Sequence, residues 1–241
     1  MYDNLLIIQA RMGSTRLPGK SAMKLAGKTL IAHIIERVKR VKFIDKIVVA
    51  TTHLAEDNII KKICDNENIE CFRGSENNLL ERYYYCALKF KSKNILRLPA
   101  DNPFPEPEEY DRLITFFNNG KYDFCSNICN FLDNGYPDGI GVEIFSFESL
   151  EHIYFNQNHL TNKEHIGLNF YDYAKDTKNP YYKFSIGTIQ CPKDFSRPDI
   201  ILDINNLEEF KIAEDIYKYY YYTNSNFNIK DIIYWWNEYK K

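Results

Sequence analysis

The sequence predicts an α/β fold: a mixed, mostly parallel sheet flanked by helices. Short runs rich in Ile, Val and Leu, "LLIIQA", "KIVVAT", "IECF" and "NILRLPAD", recur through the first hundred residues. Runs that are apolar on both faces suit buried parallel strands. Between them lie "TLIAHIIERVKRV", "EDNIIKKICDNEN" and "NLLERYYYCALKF", with apolar residues at helical spacing such as Leu30, Ile34 and Val38. Each is long enough to carry the chain back over the sheet as a right-handed crossover. The 241 residues, 44% of them hydrophobic, suffice for a sizeable core.

The elements follow in order. "LLIIQA" opens the sheet, and the next three apolar runs each complete a strand–helix–strand unit. From about residue 124 the rhythm changes. "NICNFLDNGYPDGIGVEIFSFESLEHIYF", a helix candidate "EHIGLNFYDYAK" and "NPYYKFSIGTIQCP" predict a small α+β segment inserted beside the sheet at about 128–190. "DIILDI" reads as a return strand, and "NLEEFKIAEDIYKYY" and "IKDIIYWWNEYKK" as two closing helices. No linker divides the chain, so residues 1–241 form a single domain in this reading. The tyrosine run 219–222 falls on a helical pattern and reads as packing with an aromatic surface.

Composition narrows function. A net charge of −2 argues against a general nucleic-acid binder, which carries a basic excess. No apolar run approaches the roughly 18 residues of a membrane span, and "MYDNLLIIQ" lacks a signal peptide's charged start. A cytoplasmic protein is expected. Its six cysteines, 64, 71, 86, 125, 129 and 191, fall at no zinc-like spacing and are expected to remain reduced thiols.

In open α/β sheets ligands bind beyond the carboxyl ends of the strands. Directly after the first strand comes "RMGSTRLPGKS". Its ending resembles the Walker A loop, but counting back from Gly19-Lys20-Ser21 puts Ser14 where that loop needs glycine, and Pro18 removes a backbone donor. The stretch 11–28 nevertheless carries Arg11, Arg16, Lys20, Lys24 and Lys28 and no acid. Two guanidinium forks and a mobile ammonium suit phosphate oxygens.

"QARMGSTRLPGK" closely resembles the nucleotide-binding signature of the cytidylyltransferases that make CMP-activated sugars, above all the spore-coat polysaccharide branch related to CMP-KDO and CMP-sialate synthetases. "IVVATT", "GSENNLLERYY", "RLPADNPFP", "YPDGIGVEIFSFESL" and "DIILDINNLEEF" continue the resemblance in order along nearly the whole chain. It implies a Rossmann-like fold of the nucleotide-diphospho-sugar transferase type. It also implies transfer of CMP from CTP to a small acceptor, with release of pyrophosphate, in capsule or other surface-polysaccharide synthesis.

The resemblance implies roles as well. Lys20, Arg11 and Arg16 would serve the triphosphate as catalytic cations, Lys20 nearest the α-phosphate and Arg16 at the β/γ end. Ala10, Gly13, Ser14 and Ala100 would line the nucleotide, and Arg73, Ser75 and Asn77 would face cytosine. Arg82 stands on the helix that follows, equally suited to a salt bridge. Asp101 and Asp203 would hold Mg²⁺, which favours hard oxygen ligands. Neither acid is needed as a helix cap: Asn102 can cap a helix starting near Pro103, and Asn205, with Glu208 three residues on, can cap the next. Asp138, Glu143, Glu164 and His165 would face the acceptor, His165 from a helix. Pro99 stands where the sugar-acid enzymes commonly have a glutamine near the ribose. The acceptor is a sugar acid or a phosphorylated metabolite such as phospho-glutamine; a phosphate oxygen needs no general base, which fits the absence of an obvious His/Asp pair. A homodimer through the aromatic inserted segment is expected. Alternatives are a sugar-1-phosphate nucleotidyltransferase using UTP or GTP, and a non-catalytic nucleotide-binding subunit.

Overall fold

A computed structural model describes residues 2–240. Its centre is a seven-stranded sheet. Strand β1 (Tyr2–Gln9) leads through a small hairpin, β2 (Lys24–Leu25) and β3 (Lys28–Thr29), into helix α1 (Leu30–Val38). Strand β4 (Lys46–Thr52), α2 (Asn58–Asn66), β5 (Glu70–Gly74), α3 (Leu79–Phe90) and β6 (Ser92–Pro99) follow. Then come α4 (Pro107–Asn119), β7 (Phe124–Ser126), β8 (Glu143–Ser146), α5 (Phe147–Phe155), the hairpin β9 (Tyr171–Asp172) and β10 (Thr177–Lys178), and β11 (Ile186–Gly187). Helices α6 (Leu207–Tyr220) and α7 (Ile229–Tyr239) complete the described fold.

The sheet order is β11-β7-β8-β6-β1-β4-β5. Strand β1 runs parallel to β4 and β6, and β4 to β5; β8 alone runs antiparallel, between β6 and β7. Leu5 to Ile8 have no exposed surface, because helices cover both faces of β1. One apolar core lies under α1, α4, α6 and α7, the other under α3, α5 and the β9–β10 hairpin.

Four expectations change. Strands β8 and β11 fall within 128–190 yet belong to the main sheet, so the parts of that segment outside it are 128–142, 147–185 and 188–190. "EHIGLNFYDYAK" forms one 3₁₀ turn (Ile166–Asn169) and a strand, not a helix. The Asn162 side chain accepts from the Glu164 and His165 N–H groups, and the Asn169 amide donates to Asn162 O, so side chains take backbone groups a helix would use. "DIILDI" makes a single bridge, Asp138 to Ile201, because it crosses the strand ends instead of running along an edge. Helix α4 starts at Pro107, not near Pro103. Pro103, Pro105 and Pro107 push Asn102, Phe104 and Glu106 toward extended backbone, and only the last proline fits a helix start.

Candidate active site

Beyond the end of β1 the chain folds back on itself. The N–H groups of Ser14 and Gly19 both donate to Met12 O at 2.9 Å. Gly19 sits in the left-handed region, with φ of 77°, and opens a short 3₁₀ turn (Lys20–Ala22) that aims Lys20 inward. The loop is fastened from outside by Asp57, fully buried, whose carboxylate accepts from Met12 N at 2.7 Å, from Thr52 N at 3.2 Å and from the Thr52 hydroxyl. The sequence reading missed this clamp; the signal was an acid within the polar segment that follows the second apolar run.

Lys20, only 9% exposed, donates to Asp101 Oδ2 at 3.1 Å and to Ile204 O at 2.5 Å. Ile204 N donates in turn to Asp101 O at 2.8 Å. Residues about a hundred positions apart therefore meet at one ammonium. Beside it, burial raises the Asp203 carboxyl pKa, and the charges of Asp101 and Glu209 add to the rise against the opposing Asn205 amide and Lys20. Asp138, expected at the acceptor, lies at this acidic end. Burial first and Asp203 second push its pKa up to about 6. Gly139, φ 81°, lets the backbone pass Asp203; a Cβ there would stand 2.6 Å from Asp203 N. The cap of α6 is Asn206 with Glu209, one residue later than expected, which leaves Asn205 to donate its amide to Asp203.

Two cavities adjoin at the tip of β1. The first is lined by Arg11, Ser14, Arg16, Lys20, Ala100 and Asp101, with Gln9, Ala10 and Pro99 also on its wall. Arg11 and Arg16 are exposed, and neither guanidinium has a protein partner among the described residues. The second is lined by Glu76, Leu79, Arg82, Glu164 and His165. Gln9, Ala10 and Arg11 line both. Arg82 is buried, with Nε on Ser75 O at 2.8 Å and Nη2 on Glu76 O at 3.2 Å, so it shapes the loop before α3 and makes no salt bridge.

Several candidate residues lie elsewhere. Arg73 does not face a base: its three nitrogens donate to Thr52 O, Asn58 Oδ1 and Leu54 O at 2.7, 2.6 and 2.6 Å, which braces the turn after β4. Ser75, Asn77 and Gly13 line neither cavity. Glu143 is 2% exposed and fully engaged, accepting from Arg97 Nη1 at 2.7 Å and from the Tyr173 hydroxyl at 2.8 Å, so it cannot face an acceptor. His165 is not helical; it precedes the 3₁₀ turn and reaches the second cavity. Gln9, Glu76 and Leu79 were missed, because only the crossing of β1 with the start of α3 brings them together.

The cytidylyltransferase family model matches residues 5–232. The chain is 31% identical over 228 residues to the spore coat polysaccharide biosynthesis protein SpsF of Bacillus subtilis, covering 90% of this chain and 88% of that one. It is 34% identical over 117 residues to a 3-deoxy-manno-octulosonate cytidylyltransferase of Anaeromyxobacter, covering 48% and 47%. A solved structure of a cytidylyltransferase from Leptospira borgpetersenii superposes with a TM-score of 0.85 at 27% identity, over 99% of this chain and 95% of that one.

Proposed function

The chain belongs to the cytidylyltransferase family and is a nucleotidyltransferase, and from that premise we propose that it transfers CMP from CTP to a small acceptor in surface-polysaccharide synthesis. The observation that carries this is Lys20, held between Asp101 and Ile204 O beside two unpartnered arginines at the end of the sheet. An acceptor oxygen attacks the α-phosphorus, the bond from that phosphorus to the bridging oxygen breaks, and pyrophosphate leaves with the electron pair. Charge grows on the departing oxygen, and Lys20, Arg11 and Arg16 stabilise it from fixed positions. The triphosphate occupies the first cavity and the base the second.

Mg²⁺ fits the donor set. Asp101 and Asp203 are hard oxygen ligands, the one or two carboxylates this ion takes from protein. Among the described acids Lys20 pairs with Asp101 alone, and the Asp203 carboxyl, its pKa raised first by burial and then by the charges of Asp101 and Glu209, lies beside that pair. Asp101 and Asp203 would hold the ion, which would supply Lewis-acid charge neutralisation to the phosphate groups.

A phosphorylated acceptor suits this site better than a sugar acid. Its attacking oxygen is already deprotonated, and although Glu164 and His165 both line the second cavity, no hydrogen bond ties that imidazole to a carboxylate among the described residues. The protein acts as a homodimer in the cytoplasm, a compartment that keeps six thiols reduced. Exposed Phe155, Leu160 and Tyr181 on the inserted segment supply the apolar contact. Thermal unfolding with CTP, UTP, GTP and ATP, with and without Mg²⁺, tests the reading. CTP at 100 times its Kd adds about 2.7 kcal/mol of stability, and only in the presence of the metal. Stabilisation by UTP or GTP but not CTP reverses the base assignment.

A further inference from the structure

From the geometry at the tip of β1 we infer that the side-chain amide of Gln9 binds a ribose hydroxyl of the nucleotide. The backbone of Gln9 is consumed by the sheet: its carbonyl accepts from Ala100 N at 3.0 Å, and its Cα pairs with Ala50 on one side and Pro99 on the other. Its side chain has one fixed end. Oε1 accepts from Arg97 Nε at 3.0 Å. A guanidinium has no acceptor, so the amide has only one orientation that satisfies this contact. Arg97 is fixed in turn by the buried ion pair with Glu143, which the Tyr173 hydroxyl also holds. The NH₂ group of Gln9 has no protein partner among the described residues, and the residue lines both cavities.

What lies at that junction follows from the covalent order of a nucleoside triphosphate. With phosphates in the cationic cavity and the base in the other, the sugar between them sits over Gln9, Ala10 and Arg11, the three residues common to both walls. Gln9 carries the only side-chain amide in either lining. Pro99, its strand partner, has no donor to offer. A neutral NH₂ suits a hydroxyl oxygen, whereas the charged donors next to it suit phosphate. Arg97 is a positioning residue here, since it reaches the sugar only through Gln9.

This inference rests on the proposed use of CTP. Titration calorimetry of the wild-type protein with CTP, 2′-deoxy-CTP and 3′-deoxy-CTP in Mg²⁺ tests it. One deoxy analogue binds about five- to tenfold more weakly than CTP, the loss of one neutral hydrogen bond. In Gln9→Leu, CTP weakens by that factor while the same analogue is unaffected, so the gap closes as in a double-mutant cycle. Equal wild-type affinity for all three nucleotides overturns the inference, and so does a gap that survives in Gln9→Leu. If that variant does not fold, Gln9→Met is read against the same three nucleotides, and a gap that survives in it overturns the inference. Absence of CTP binding in any form overturns instead the underlying assignment of substrate, a separate and recognisable result.

Discussion

At the residue scale, Lys20 is the centre of the site. It is the only ammonium buried against an acid of the cationic cavity, and it ties Asp101 to the segment carrying Asp203. Lys20→Met lowers the rate of pyrophosphate release by about 10²-fold, the cost of one donor aimed at developing charge. A steady-state assay with unchanged turnover removes it from the mechanism. A second residue governs stability. His33 is 1% exposed, its Nε2 within 2.7 Å of Leu25 O and its ring against Tyr217 and Tyr221. Burial lowers its pKa to about 4; the Leu25 carbonyl and Glu36 oppose the shift, and Lys28 and Arg37 reinforce it. The folded state therefore binds fewer protons than the unfolded state between an ordinary histidine value and about 4. Stability is whole above that window and falls through it as the medium acidifies, by about 3 kcal/mol in total. Urea unfolding at pH 7.5 and pH 5 shows the loss in the wild type and a smaller one in His33→Gln. Equal losses would exclude the imidazole as their source.

At the element scale, the loop after β1 depends on Asp57, 45 residues away from the Met12 N–H it accepts. Asp57→Ala leaves that N–H and Thr52 N without their partner. It destabilises the fold by about 2–3 kcal/mol, as unsatisfied buried donors do, and raises the KM for nucleotide about tenfold while turnover at saturation changes little. Chemical denaturation and kinetics measure both, and an unaltered KM means that the loop holds its shape unaided. Here too the limits of sequence reading are plain. The strands β1, β4, β5 and β6 and the helices between them were legible because their apolar periodicity is local. The start of α4 was misplaced near Pro103, because which of three alternating prolines opens the helix is not a matter of apolar periodicity. The segments at 164–175 and 199–204 carry apolar patterns too. Asparagine side chains and a crossing over the strand ends settled their conformation, and neither is a periodic property.

At the scale of the whole molecule, the cationic loop was readable from its place after the first strand, because residues after parallel strands share one edge of the sheet, and Asp101 was reached through the family resemblance. Glu143 and Arg73 were not readable. Each is a charged residue in a polar segment, and only distant partners show that its charge is already answered. Subunit pairing belongs to this scale as well. Phe155 is 67% exposed on the inserted segment. Sedimentation equilibrium of the wild type gives a dimer, and Phe155→Glu gives a monomer with an unchanged circular dichroism spectrum; a wild-type monomer refutes the pairing.

The place of β8 carries a consequence for biosynthesis. Strand β6 is finished at Pro99, but the strand that covers its outer side begins at Glu143. On the ribosome the emerging chain holds a four-stranded half-sheet whose hydrogen-bonding rim stays open until more than forty further residues have been added. Such a rim invites pairing with a neighbouring nascent chain. A slow stretch of codons between those two points prolongs the exposure and lowers the soluble yield without altering a single amino acid of the finished enzyme.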